Sequence, residues 1–137
     1  MRFVDTDVLL YAVSKNPADH VKSSKATALL AEPDLALSVQ VLQEFYVEAT
    51  RAGRADPLTH LQAVRLVESF LRFPVLTMDI DVARAAMALR ERFAISYWDA
   101  AIIEAARATG CKLVLSEDLD HGQDYGGVRV ENPFRDA

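Results

Sequence analysis

The chain alternates short apolar runs with longer segments of helical period, and that alternation restricts it to an α/β architecture. The runs are Phe3-Val4, Leu35-Ala36-Leu37, Val75-Leu76-Thr77, Lys112-Leu113-Val114-Leu115 and Val128-Arg129-Val130. Strands buried on both faces read as short unbroken apolar stretches, so a sheet of about five strands, mostly parallel and covered by helices, is expected. With 137 residues, 51% of them hydrophobic, the chain is long enough for one core and too short for two. A single domain over residues 1–137 follows as the expectation.

The segments between the runs carry helix signals. Val8 to Val13 is apolar and follows Asp5 and Thr6, either of which can cap a helix. His20 to Ala31 follows the Asn16-Pro17 break. Ser38 reads as the N-cap of a helix whose apolar residues Val39, Leu42, Phe45, Tyr46 and Ala49 recur at three- and four-residue steps, with Gly53 as its end. Asp56-Pro57 reads as an N-cap with proline at the first helical position. The stripe from Leu58 to Leu71 then gives the longest expected helix, wide enough that part of it faces another chain. Asp79 or Asp81 caps a helix through Phe93, and Ser96-Tyr97-Trp98-Asp99 opens an Ala-rich helix ending at Gly110.

Acids gather where the apolar runs give out. In open α/β sheets, ligands bind beyond the carboxyl ends of the strands. If the strands are parallel, Asp5 and Asp118 lie at strand ends, while Glu44 and Asp99 lie in the first turns of helices entered from the same edge. Each also has a structural reading. Asp5 can simply cap, Asp99 can reach back to the Ser96 backbone in a capping box, and Ser116 to Gly122 can be a solvated acidic loop. Together, however, four carboxylates in one pocket repel one another unless a cation neutralises them. Oxygen ligands without His or Cys suit Mg²⁺ or Mn²⁺, which favours phosphoryl chemistry. His20, His60 and His121 lack the spacing of a metal pair.

A formal net charge of -5 argues against holding nucleic acid by bulk positive potential, so any such contact must be local or metal-assisted. Lys22, Lys25, Arg51 and Arg54 can supply phosphate contacts at the rim or form a solvated face, and Tyr97 and Trp98 can stack on a base or simply pack. One cysteine, Cys111, allows no internal disulfide. The N-terminus has the pattern of neither a signal nor a transit peptide, and no apolar run reaches the ~20 residues of a membrane helix. A soluble, cytoplasmic protein is expected.

In their order along the chain, Phe3-Val4-Asp5-Thr6-Asp7, Leu42-Gln43-Glu44-Phe45-Tyr46, Ser96-Tyr97-Trp98-Asp99-Ala100 and Leu115-Ser116-Glu117-Asp118 resemble the motifs of PIN-domain ribonucleases of the VapC toxin type. That resemblance implies a three-layer α/β/α fold and Mg²⁺- or Mn²⁺-dependent cleavage of RNA. It also implies homodimers and a cognate antitoxin that inhibits the enzyme. By position, Asp5, Glu44, Asp99 and Asp118 correspond to the family's catalytic and metal-binding acids, with Thr6 as the hydroxyl beside the first. Asp7 departs from the family pattern, which more often has Asn or Ser there, and brings extra negative charge. Ser38 and Asp120 are further candidate supporting residues, Asp120 as a rival to Asp118, and Arg51 and Arg54 are candidates for RNA contact.

Two other readings compete. Asp5-Thr6-Asp7 with Glu117-Asp118 also resembles the motifs of haloacid-dehalogenase-like phosphatases, with Asp5 as nucleophile. No Gly follows Asp7, and that reading leaves Glu44 and Asp99 without a role. The second is a non-catalytic module that docks a partner through the apolar helices around Phe45-Tyr46 and Leu58 to Phe73.

Overall fold

The structure is a computed structural model and describes residues 1–136. In chain order its elements are β1 (Arg2–Val4), α1 (Thr6–Val13), a 3-10 turn (Pro17–Asp19), α2 (His20–Leu30), β2 (Leu35–Ser38), α3 (Val39–Ala49) and α4 (His60–Phe70). There follow β3 (Val75–Leu76), α5 (Ile80–Phe93), α6 (Tyr97–Ala108), β4 (Leu113–Leu115), β5 (Asp124–Tyr125) and β6 (Val128–Glu131). The strands form a six-stranded sheet in the order β3-β2-β1-β4-β6-β5, parallel throughout except for the β5–β6 pair.

Strand order reverses between β1 and β4. The chain builds outward from β1 through β2 to β3, then returns to place β4 on the other side of β1, in register Phe3 with Val114 and Val4 with Leu115. Two parallel strands whose following segments leave in different directions open a crevice at their carboxyl ends. Asp5 and Ser116 are the first residues past those ends, and the Asp5 N–H extends the ladder by donating to the Leu115 carbonyl at 3.0 Å.

Helices cover both faces of the sheet, α1 packing on α2 and α3, and α5 on α6, which crosses β2, β4 and β6. Phe3, Val4, Leu35, Leu37, Val114 and Leu115 are buried in the sheet, with Leu9, Phe45 and Ile103 packed over it. Every residue of α6 from Ala100 to Ala106 is buried. Its alanines let the helix lie close between the sheet and α5, since small side chains permit close approach.

Several local expectations are corrected. Helix α4 starts at His60, not Pro57. Thr59 supplies its cap in a reciprocal capping box with Gln62, while Asp56 takes a left-handed φ of 64° that cannot begin a helix. The longest helix is α5, with 14 residues, and not α4, with 11. Helix α3 ends at Ala49, and Gly53 lies in the turn that follows. Asp79, not Asp81, caps α5. A sixth strand, β5, was missed. Gly126 and Gly127, with φ of 64° and 100°, make a two-residue hairpin turn that pairs Tyr125 with Val128. The buried Glu104 orients Arg107, whose guanidinium donates to the Tyr125 and Gly126 carbonyls at 2.6 Å each and ties this hairpin to α6. No helix among the described residues is long and apolar enough to cross a membrane.

Candidate functional site

The crevice at the switch point is lined with carboxylates. Oxygens of Asp5, Asp7 and Asp118 all lie within 4.8 Å of one another. Asp5 caps α1, its Oδ1 accepting from the Thr6 N–H at 2.7 Å, and its Oδ2 accepts from the Ser116 hydroxyl at 2.8 Å. Capping engages only Oδ1, so Asp5 can cap α1 and still belong to the cluster. Asp7, in the first turn of α1, accepts from the backbone N–H groups of Glu117 and Asp118 at 2.8 and 3.1 Å through Oδ2. Its Oδ1 is buried with no hydrogen-bond partner among the described residues.

Glu44 and Asp99 flank this centre. Glu44 accepts from the Thr6 hydroxyl at 3.3 Å and from Gln40 Nε2 at 2.6 Å. Gln40 Nε2 also donates to the Trp98 carbonyl at 3.2 Å, joining α3 to the start of α6. Ser96 caps α6 by accepting from the Asp99 N–H at 3.1 Å. No bond returns from the Asp99 carboxylate to the Ser96 backbone among the described residues, so only half of the expected capping box forms. The Asp99 charge is felt at Asp118, just as that of Glu44 is felt at Asp5.

Burial, then the Asp7 charge, push the Asp5 carboxyl up to about 8 against the opposing hydrogen bonds from Ser116 and Thr6. Burial likewise raises Asp7 to about 6, against the two amide bonds it accepts. Asp118 is raised by burial and by the charges of Glu117 and Asp99. Carboxylates crowded so closely repel one another when charged, and together with the buried Asp7 oxygen that has no hydrogen-bond partner among the described residues they form a donor set suited to a hard cation. The acids present fit a divalent ion.

The remaining sequence candidates are placed as follows. Thr6 orients Glu44, and the buried Ser38 caps α3 by accepting from the Val41 N–H at 3.3 Å. Asp120 is exposed and outside the cluster, its charge reaching Tyr125 instead. Glu117 turns away, taking the Tyr11 hydroxyl at 2.5 Å and the Lys22 ammonium at 2.6 Å. Burial pushes Glu117 upward, but the bonds from Lys22 and Tyr11 outweigh it and hold the carboxyl below its usual range. Arg51 pairs outward with Glu48 at 3.1 Å. Arg54, half-buried and without an ion pair among the described residues, lines a cavity of about 220 Å³ with Asp7, Tyr11, Asp19, Glu117 and Asp118. Lys22, a candidate for phosphate contact at the rim, is instead paired with Glu117, and Ser116, Gln40 and Tyr11 were given no part in the site by the sequence. Only Gln40 left a signal, its four-residue spacing from Glu44 on one helix face.

A family profile of the PIN domain matches residues 2–124, and the chain belongs to the PIN-domain family. No curated protein matches the sequence at a significant level. The fold is shared with the toxin-antitoxin complex from Klebsiella pneumoniae, at 20% identity and TM-score 0.70 over 97% of this chain and 98% of that one. It is shared with VapC20 from Mycobacterium tuberculosis, a sarcin-ricin loop cleaving toxin, at 23% identity and TM-score 0.69 over 86% of this chain and 90% of that one. VapBC2 from Rickettsia felis, bound to a DNA fragment from its promoter, aligns at 18% identity and TM-score 0.66 over 96% and 97%. Membership of the PIN family removes the haloacid-dehalogenase reading from favour.

Proposed function

We propose that this chain is a divalent-metal-dependent endoribonuclease acting as the toxin of a toxin-antitoxin pair. One observation carries the reading: the cluster of Asp5, Asp7 and Asp118 oxygens, with the buried Asp7 Oδ1 lacking a donor. Asp5, Asp7 and Asp118 would hold Mg²⁺ or Mn²⁺, and Glu44 and Asp99 would complete the catalytic acids at its rim. A hard cation supplies Lewis-acid activation of water and offsets charge building on a phosphodiester. The chain's own residues do the rest. Ser116 fixes Asp5, Thr6 and Gln40 fix Glu44, and the Asp7 carboxylate holds the turn that presents Asp118. Arg54 lines the adjoining cavity with Asp7 and Asp118 and would take a neighbouring phosphate.

The RNA substrate and the antitoxin are proposed by likeness to the toxins whose fold the chain shares. An apolar cavity of about 520 Å³ between α3 and α4, lined by Val39, Leu42, Tyr46, Val47, Val64 and Val67, supports a protein partner, either the antitoxin or a second copy. The test is cleavage of RNA by the purified protein with Mg²⁺ or Mn²⁺. Asp5→Asn and Asp99→Asn should each abolish it while leaving the circular dichroism spectrum unchanged. Full activity in either variant overturns the assignment. A non-catalytic docking module would show no cleavage and no rise in Tm on adding the metal.

A further inference from the structure

Beside the acid cluster, between α3 and α6, lies a cavity of about 330 Å³ lined by Gln40, Gln43, Glu44 and Trp98. Its composition differs from the cluster itself: one aromatic face, two amides and a single acid. Trp98 is 65% exposed, although it is the only tryptophan in the chain and large aromatic surface is costly to leave in water. Its ring has one aromatic neighbour, Tyr97, held edge-on at 4.9 Å, so a ring face is not covered by stacking.

Gln40 provides a second, independent observation. The residue is 6% exposed, and Nε2 is spent on two acceptors, the Glu44 carboxylate and the Trp98 carbonyl. Those two partners fix the amide orientation, because a flipped Gln40 would put an oxygen against both of them. Oε1 is therefore an acceptor, and it is buried without a donor. An unpaired buried acceptor costs free energy until an N–H or O–H reaches it. A flat aromatic surface beside an unfilled acceptor matches a heterocycle with N–H groups on its edge.

We infer that the α3–α6 cavity is a nucleobase subsite, in which Trp98 stacks on the base of a nucleotide flanking the cleaved phosphodiester and Gln40 Oε1 accepts an N–H from that base's edge. This rests on the ribonuclease reading for its substrate. Continuity supports it: Glu44 belongs to the cavity wall and is also bonded to Thr6 beside Asp5, and Trp98 directly precedes Asp99. A phosphodiester held at the acids would place an adjoining base against this wall. Stacking tolerates every base and is stronger for the larger rings, so purines should bind more tightly than pyrimidines.

Because Trp98 is the sole tryptophan, its emission reports on this wall alone. Titrating the wild-type protein with the dinucleoside monophosphates ApA, GpG, CpC and UpU should quench it saturably, purines more strongly. Ribose 5-phosphate, which has no base, should leave it unchanged. Trp98→Ala should weaken binding of a fluorescein-labelled RNA oligonucleotide on the order of tenfold, and Trp98→Phe should restore most of the loss. Equal quenching by ribose 5-phosphate, or unaltered RNA affinity in Trp98→Ala, overturns the subsite. So does protection of Trp98 from acrylamide by a co-expressed protein partner with no response to any base. Quenching without RNA cleavage under any metal would leave the base site standing and remove the nuclease reading. Cleavage with no base-dependent quenching would do the reverse.

Discussion

The carboxylate of Asp7 accepts a hydrogen bond from the backbone N–H of Asp118 at 3.1 Å, across 111 positions of the chain. The first turn of α1 therefore sets the position of the turn after β4, and one side chain is both scaffold and member of the acid cluster. Asp7→Asn separates the two roles, since an amide oxygen can still accept from the Glu117 and Asp118 amides while the charge is gone. The Asn variant should keep the 116–118 turn protected from hydrogen exchange and lose most of the Mg²⁺-induced rise in Tm. Asp7→Ala should lose both.

The raised carboxyls make stability fall as pH rises. Asp5 and Asp7 move from 3.8 to about 8 and about 6, so between about pH 4 and pH 8 the folded chain binds more protons than the unfolded one. Their favourable contribution is complete below the unfolded value and is lost as pH passes through the folded values. In EDTA, Tm should decline by several degrees between pH 5.5 and pH 8.5, and saturating Mg²⁺ should reverse most of the decline. A flat profile in EDTA would contradict the buried, proton-holding cluster.

Arg51 and Arg54 are three residues apart but differ in surroundings, one paired with Glu48 at the surface and the other lining the cavity beside Asp118. Arg54→Glu should weaken RNA binding and reduce its dependence on salt by about one phosphate contact. Arg51→Glu should change affinity less than twofold. Equal effects from the two would show that the cavity has no part in binding.

Lys22 and Tyr11 pin the loop from the other side through Glu117. Tyr11→Phe and Lys22→Ala should each destabilise the protein by about 1 kcal/mol, the usual net contribution of one such bond. Each should also speed amide exchange in residues 116–120 more than elsewhere, by mass spectrometry.

Helix α5 ends on Ala94 in the left-handed region, with φ of 54° and ψ of 40°. That conformation costs an L-residue about 1 kcal/mol and costs glycine little. Ala94→Gly should raise Tm by a few degrees, measured by calorimetry.

The elements and their order were legible because burial on both sheet faces forces short apolar runs, and amphipathic helices force three- and four-residue spacing. The parallel central strands and the edge carrying the acids followed from that pattern. What was missed depended on local φ values or on weak short-range signals: the Gly126-Gly127 hairpin and the start of α4, where Asp56-Pro57 looked like a cap but Thr59 forms it. Ser116 gave no hint of its bond to Asp5, because a serine after a strand is commonplace until another strand is laid beside it.

By itself, then, the sequence determined the α/β class, Asp5 and Asp118 after their strands and Asp99 in the first turn of α6, whereas Glu44, expected in the first turn of α3, lies in the turn that follows it. Those are consequences of hydrophobic periodicity and chain order, which are local. Only the tertiary structure decided that Asp7 belongs among the closest oxygens while Asp120 stays outside, and that Gln40 bridges Glu44 to the backbone of Trp98. Those outcomes depend on the registry of β1 with β4 and the approach of α3 to α6. They are long-range distances that no spacing along one chain encodes.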